Sequence, residues 1–125
     1  MIDHVTVRVS DFAKAKEFYS KALSPLGYSV MKEFAEYGVA GLGAGGMADL
    51  WLSAKGTEDE GHIAFSAKNK AEVESFYKEA LAAGGTDNGK PGYRKEYTPG
   101  FYAAFVKDLD GHNIEVVFHD PNPSE

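Results

Sequence analysis

Cysteine is absent from the 125 residues. Disulfides, thiolate zinc sites and cysteine nucleophiles are thereby excluded, and His, Asp and Glu remain as the strong metal ligands. Positive charge is scarce as well, with 13 Lys and Arg against 19 Asp and Glu, a net charge of −6 and a pI near 5.2. Such a chain repels phosphate backbones and anionic lipid, so neither nucleic acid nor a membrane surface is expected as a partner. Long apolar runs are missing too. The least polar stretch, Gly38 to Ala48, is eleven residues with five glycines, too short and too flexible to span a bilayer. Met1 to Phe12 shows no basic start followed by an apolar run, and the expectation is a soluble, cytoplasmic protein. What is present, 43% hydrophobic and 26% charged residues, matches one compact globular domain.

The chain repeats itself. A shift of 58 places aligns His4 with His62, Ala13 with Ala71, Phe18-Tyr19 with Phe76-Tyr77, Ala22-Leu23 with Ala80-Leu81 and Gly27 with Gly85. Seven identities in twenty-four positions, where about one or two arise by chance, indicate duplication. Toward the end of each half the apparent offset is 66, pairing Gly45 with Gly111, Asp49 with Glu115 and Leu50-Trp51-Leu52 with Val116-Val117-Phe118. On that alignment the second half carries eight extra residues between Gly85 and Gly111, where Asn88 to Gly92 and Thr98-Pro99-Gly100 read as loop. The modules are expected at 1–53 and 61–119, with a polar link over 54–60.

Each half opens with a strand in which one face is apolar: Val5, Val7 and Val9 in the first, Ile63 and Phe65 in the second. Apolar residues at helical spacing predict helices from about Asp11 to Ser24 and from Lys70 to Ala83, with Asn69 and Glu72 as a capping box and glycines as stops. Strand character follows at Tyr28–Phe34, Tyr37–Leu42, Asp49–Ser53, Phe101–Lys107 and Asn113–His119, with Asp108 to Gly111 as a hairpin turn. The predicted fold class is α+β: two repeated βαβββ modules forming a strongly curved sheet cup with helices outside.

Polar residues fall on the faces opposite the apolar ones. Glu115, Val117 and His119 share one face of the closing strand, as do Asp49, Trp51 and Ser53 in the first half, and His4, Thr6 and Arg8 in the opening strand. Two histidines and two carboxylates at duplicated positions suit a divalent cation such as Zn, Ni, Co, Mn or Fe(II), and two histidines with one carboxylate form a facial triad. A lone histidine at a strand start is more often solvated or hydrogen-bonded than a ligand, and the duplication is what raises His4 above that reading. His112, in the turn, and His119, at a strand end, are expected outside the site and exposed to solvent, His119 sharing the face of Glu115. Phe18, Tyr19, Phe76 and Tyr77 are assigned to packing.

The plan, with His4 in Ile-Asp-His-Val-Thr-Val, His62 in Gly-His-Ile-Ala-Phe and the ending Asp108-Leu-Asp-Gly-His-Asn-Ile-Glu115, resembles the vicinal oxygen chelate superfamily. That superfamily contains glyoxalase I, extradiol dioxygenases, fosfomycin resistance enzymes and bleomycin resistance proteins. The resemblance covers nearly the whole chain. It implies a cup around a metal, commonly with halves exchanged across a homodimer, so that His4 and Asp49 of one chain face His62 and Glu115 of the other. Two departures stand out: Leu109 where proline is common in the turn, and Asp49 where glyoxalase I has a longer carboxylate that also acts as base.

Three functions are compatible with that resemblance. The first is a metal-dependent isomerase, lyase or dioxygenase acting on a small molecule with adjacent oxygens, with His4, Asp49, His62 and Glu115 on the metal and Glu115 and Asp49 as catalytic groups. In this reading Asp49 is a fourth ligand or an acceptor reaching the cation through water. The second is a metal-free protein that sequesters a planar drug, as in bleomycin resistance, with Trp51 stacking and Tyr37, Phe101 or Tyr102 assisting. The third is thiol transfer to an epoxide, using His4, His62 and Glu115, with Thr6 compatible. Arg8 shares the strand face of Thr6, and Lys90, Arg94 and Lys95 lie near Tyr93 and Tyr97 as candidates for holding an anionic group.

Overall fold

The computed structural model describes residues 2–54 and 61–123. Of the expected link only Ala54 falls among them. Two four-stranded sheets are present, in the orders β1-β4-β3-β2 and β5-β8-β7-β6. The first comprises β1 (Val5–Arg8), β2 (Ser29–Phe34), β3 (Val39–Gly43) and β4 (Leu50–Ser53), and the second β5 (His62–Ser66), β6 (Thr86–Tyr93), β7 (Phe101–Lys107) and β8 (Asn113–His119). In each sheet the opening strand runs parallel to the closing one and the other ladders are antiparallel. The fold is α+β with two repeated modules, and the two sheets do not join into a closed cup.

The helices form where their signals stand. Asp11 caps α1 (Phe12–Ala22) by accepting from Lys14 N at 3.1 Å, and the helix stops two residues short of Ser24 because Ser24-Pro25-Leu26 tightens into a 3₁₀ turn closed by Gly27 at φ 86°. Asn69 caps α2 (Lys70–Ala82) through Glu72 N at 2.9 Å, and Glu72 accepts in return from Lys68 N, one residue before the cap. Helix α1 packs on the first sheet and on α2, which covers β6, β7 and β8. Phe18, Tyr19, Leu23, Leu50 and Leu52 of the first module and Val73, Phe76, Ile114 and Val116 of the second form one buried cluster. Burying each large apolar side chain there contributes about 1.5–3 kcal/mol.

The strand registers correct the alignment of the halves. Thr6 pairs with Trp51, and its repeat mate Ala64 pairs with Glu115. Leu50 likewise matches Ile114, and Gly41, opposite Trp51, matches Phe105, opposite Glu115. The offset is therefore 64, from Trp51 to Glu115, and six extra residues rather than eight lie between the helices' ends and the final strands. Asp49 corresponds to Asn113. Some extra residues extend β6, which runs through Asn88 to Gly92 where a loop was expected. It is the edge strand, Pro91 falls in the break of its register with β7 between Gly89 and Gly92, and the shifts around Gly89 absorb the glycines.

The turn from Asp108 to Gly111 forms as expected, with Gly111 at φ 88°. Its neighbour His112 departs from expectation, being 2% exposed. The ring accepts from Gly61 N at Nδ1 (2.8 Å) and donates from Nε2 to the carbonyl of Arg8 (2.7 Å), so both nitrogens are satisfied without water. Around it, Asp110 accepts from Ser10 N, and Asp108 accepts from the Tyr19 hydroxyl and from the backbone of Asp110 and His112. The motif that marks the second module thus fastens it to the first.

Candidate functional site

Strand β8 projects Ile114 and Val116 into the core, which turns Glu115 to the open face of the second sheet. There Glu115 is 5% exposed, its Oε1 lies 3.2 Å from His62 Nε2, and its Oε2 is buried without a hydrogen-bond partner among the described residues. Burial pushes the Glu115 carboxyl above the ordinary glutamate range, against the opposing pull of His62, Arg94 and His119. The other nitrogen of His62, Nδ1, lies 3.0 Å from the carbonyl oxygen of Asn113. A carbonyl only accepts, so Nδ1 carries the hydrogen, and Nε2 faces the carboxyl as a donor when the ring is charged and with a lone pair when it is neutral. That arrangement leaves room in the chemistry for one cation or one proton between imidazole and carboxyl.

His4 repeats the pattern by other means. Its Nδ1 lies 2.7 Å from Asp3 Oδ1, again an acceptor, which leaves Nε2 as the nitrogen that can ligate. Asp49 is exposed and receives the Tyr28 hydroxyl at 2.8 Å, and burial, then that bond, raise the Tyr28 phenol well above its usual value. His4, Asp49 and His62 line one cleft of about 410 Å³ together with Tyr28 and Phe65. Among the described residues, no three His, Asp or Glu side chains converge closely enough to hold one ion.

The remaining candidates divide between the two open faces. On the second sheet, the Arg94 guanidinium stacks over Phe105 at 5.4 Å, held by the carbonyls of Gly92 and Lys90, and Phe101 makes edge contacts with Tyr97 and His119. His119 is exposed, as expected. On the first sheet, Thr6, Arg8 and Trp51 share the open face, and a Cβ at Gly41 would lie 2.8 Å from the indole. Tyr102, offered as a stacking partner, sits on the opposite face instead, buried against α2 with its hydroxyl on Glu74 at 2.6 Å. Burial and that bond push its phenol up to about 12. Tyr93 also faces the helix side, bonded to Asp120 and beside Lys70, and Tyr37 is 57% exposed in a 3₁₀ turn. Asp3, Gly41, Met31, Met47 and the Asn113 carbonyl escaped sequence reading. Only Asp3, adjacent to His4, carried a local signal.

Solved structures with the same fold include a glyoxalase/bleomycin resistance protein from Albidiferax ferrireducens T118, 22% identical over 98% of this chain and 99% of that one, with a TM-score of 0.79. A glyoxalase-related enzyme from Fulvimarina pelagi is 19% identical over 94% of this chain and 87% of that one, at TM-score 0.73. A lactoylglutathione lyase from Agrobacterium tumefaciens is 20% identical over 94% and 92%, at TM-score 0.70. A comparison with curated protein sequences gives no match. Among the described residues no helix is long and apolar enough to cross a membrane. The family profile of the Glyoxalase/Bleomycin resistance protein/Dioxygenase superfamily matches residues 1–116, and the chain belongs to that superfamily.

Proposed function

We propose that this protein is a metal-dependent enzyme acting on a small molecule that offers two adjacent oxygens, with His4, His62 and Glu115 as the cation's protein ligands. The observation that carries the reading is the state of the donors. Both imidazoles are tied through Nδ1, so that each in its neutral form offers Nε2 to a cation, and the carboxyl beside one of them is buried with an oxygen that has no partner among the described residues. Two neutral imidazoles and one carboxylate suit Zn, Mn, Fe(II), Co or Ni. When bound, such a cation supplies Lewis-acid polarisation of the substrate's oxygens.

The chain's own groups supply the rest. Glu115, with its raised affinity for a proton, is the general base or acid of the centre, and Arg94 is positioned to moderate its charge. Trp51 takes the place of Glu115 in the first module, so a second carboxylate base at the repeat-related position is not part of the reading. Asp49, held by Tyr28, is placed as an acceptor reaching the centre through water. Among the described residues no three donors converge, and in this reading the centre is completed across a homodimer, His4 of one copy meeting His62 and Glu115 of the other. Sequestration without metal is the second reading, favoured by the aromatic ring at the register position of Glu115.

Calorimetric titration of chelator-stripped protein with Zn, Ni, Mn and Fe(II) tests the proposal. At least one should bind with Kd below about 10 µM, and Glu115→Ala should weaken it by a hundredfold or more. Absence of binding by the wild-type protein would falsify the metalloenzyme reading.

A further inference from the structure

The residues entering β8 hold the start of β5 at three points. Asn113 N donates to the Gly61 carbonyl at 2.8 Å, His62 Nδ1 donates to the Asn113 carbonyl at 3.0 Å, and Gly61 N donates to His112 Nδ1 at 2.8 Å. The first two use the backbone of Asn113, the ladder partner of His62, and any residue but proline would supply them there. The third depends on a side chain. His112 is 2% exposed, and its Nε2 donates to the carbonyl of Arg8, the last residue of β1, at 2.7 Å. Strands β1 and β5 are edges of different sheets, and a cavity of about 140 Å³ lies between them, with Val5, Val7, His62 and His112 in its wall. One ring therefore spans the seam, joining the strand that follows His4 to the residue that precedes His62.

The polarity of this bridge is fixed. A backbone N–H only donates and a carbonyl only accepts, so His112 carries its hydrogen on Nε2 and a lone pair on Nδ1. His62 is held the other way round, with its hydrogen on Nδ1, and its Nε2 faces Glu115 while Nδ1 reaches the Asn113 carbonyl. A neutral imidazole free in water favours the Nε2–H form, so the tautomer of His62 reports whether that reach is kept. We infer that His112 is a positioning residue for His62: by accepting from Gly61 N it fixes the backbone from which the His62 ring reaches Asn113, and so keeps Nε2 aimed at Glu115. That the aimed nitrogen serves a cation rests on the proposed function. The aiming itself does not.

Two substitutions separate the two bonds of the His112 ring. His112→Asn puts an amide oxygen near the place of Nδ1 and keeps an acceptor for Gly61. His112→Gln puts an amide N–H near the place of Nε2 and keeps a donor for Arg8. Each gives up one buried hydrogen bond, so a merely structural role would move both variants alike. Nitrogen NMR of the metal-free protein at pH 8 should show neutral His62 as the Nδ1–H tautomer in wild type and in His112→Asn, and shifted toward Nε2–H in His112→Gln. Titrated with zinc after chelator treatment, His112→Asn should stay within about threefold of wild-type affinity and His112→Gln should weaken it by about tenfold or more. The same His62 tautomer in both variants, or an equal loss of zinc affinity in both, overturns the proposal. If His112→Gln does not fold, the wild type decides: a scalar coupling across the Gly61 N–H to His112 Nδ1 bond and an Nδ1–H His62 must both be present, and the absence of either overturns it. Wild-type protein that binds no zinc, nickel, manganese or iron counts against the proposed function alone, and the His62 tautomers in the metal-free variants then decide the role of His112.

Discussion

Glu115 is held in a condition that favours ligand binding over stability. A carboxyl that is 5% exposed, with one oxygen unpartnered among the described residues and burial outweighing the pull of His62 on the other, is destabilising when ionised. Its affinity for a proton is raised in the fold above that of the unfolded chain, chiefly by burial. The contribution to stability is then fully present below the ordinary glutamate range and is lost as pH rises through the raised value. Glu115→Gln should therefore raise the melting temperature of metal-free protein at pH 7, by roughly 2–5 °C. The difference between variant and wild type should vanish toward pH 4. Thermal melts across that range check it, and a variant that is less stable than wild type at pH 7 would contradict the account. The neighbouring ambiguity at Asp49 shows where sequence stops. The face carrying His4, Thr6, Arg8, Trp51 and Asp49 was readable because strand alternation has a period of two. A slip of two residues preserves that alternation, so the pattern could not separate Asp49 from Trp51 as the mate of Glu115, and only the ladder did.

At the scale of elements, the segment from Asp108 to His112 does more than turn the chain between β7 and β8. Asp108 is 5% exposed and accepts three hydrogen bonds, one of them from the Tyr19 hydroxyl of α1, whose phenol is raised well above its usual value by burial and then by Asp108. Asp108→Ala leaves those donors buried without an acceptor and should destabilise the protein by about 3–4 kcal/mol, against about 1–2 kcal/mol for Tyr19→Phe. The double variant should cost clearly less than the sum, because the two side chains share one bond. Urea melts of the four proteins measure this, and strict additivity would remove the inter-module clamp. The turn itself was legible from Asp-x-Asp-Gly, and so were both helices, from their caps and apolar stripes. The burial of His112 was not, because its partners Arg8 and Gly61 are 104 and 51 residues away and contribute only backbone groups. Strand β6 was hidden for a different reason: glycine and proline argue against a strand in general, and the argument fails at a sheet edge, where one side of the backbone needs no partner.

For the whole molecule, the decisive property is how the two open faces are used. Helices α1 and α2 pack on each other and fill one core shared by both modules, while the sheets stay separate and, although His4, Asp49 and His62 line one cleft, no three donors among the described residues converge on one point. A centre built from His4 of one chain and His62 with Glu115 of its partner makes a stoichiometric prediction. His4→Ala and Glu115→Ala dimers should each lose tight metal binding. When the two proteins are unfolded together and refolded in equal amounts, random pairing makes half of the dimers mixed, and each mixed dimer has one site with all its ligands and one with none of the replaced ones. About one quarter of the wild-type number of tight sites should reappear. If each site lay within one chain, mixing would restore none, because every chain in the mixture lacks a ligand. Metal content after refolding and gel filtration therefore distinguishes a shared centre from an internal one, and it does so without knowledge of the substrate.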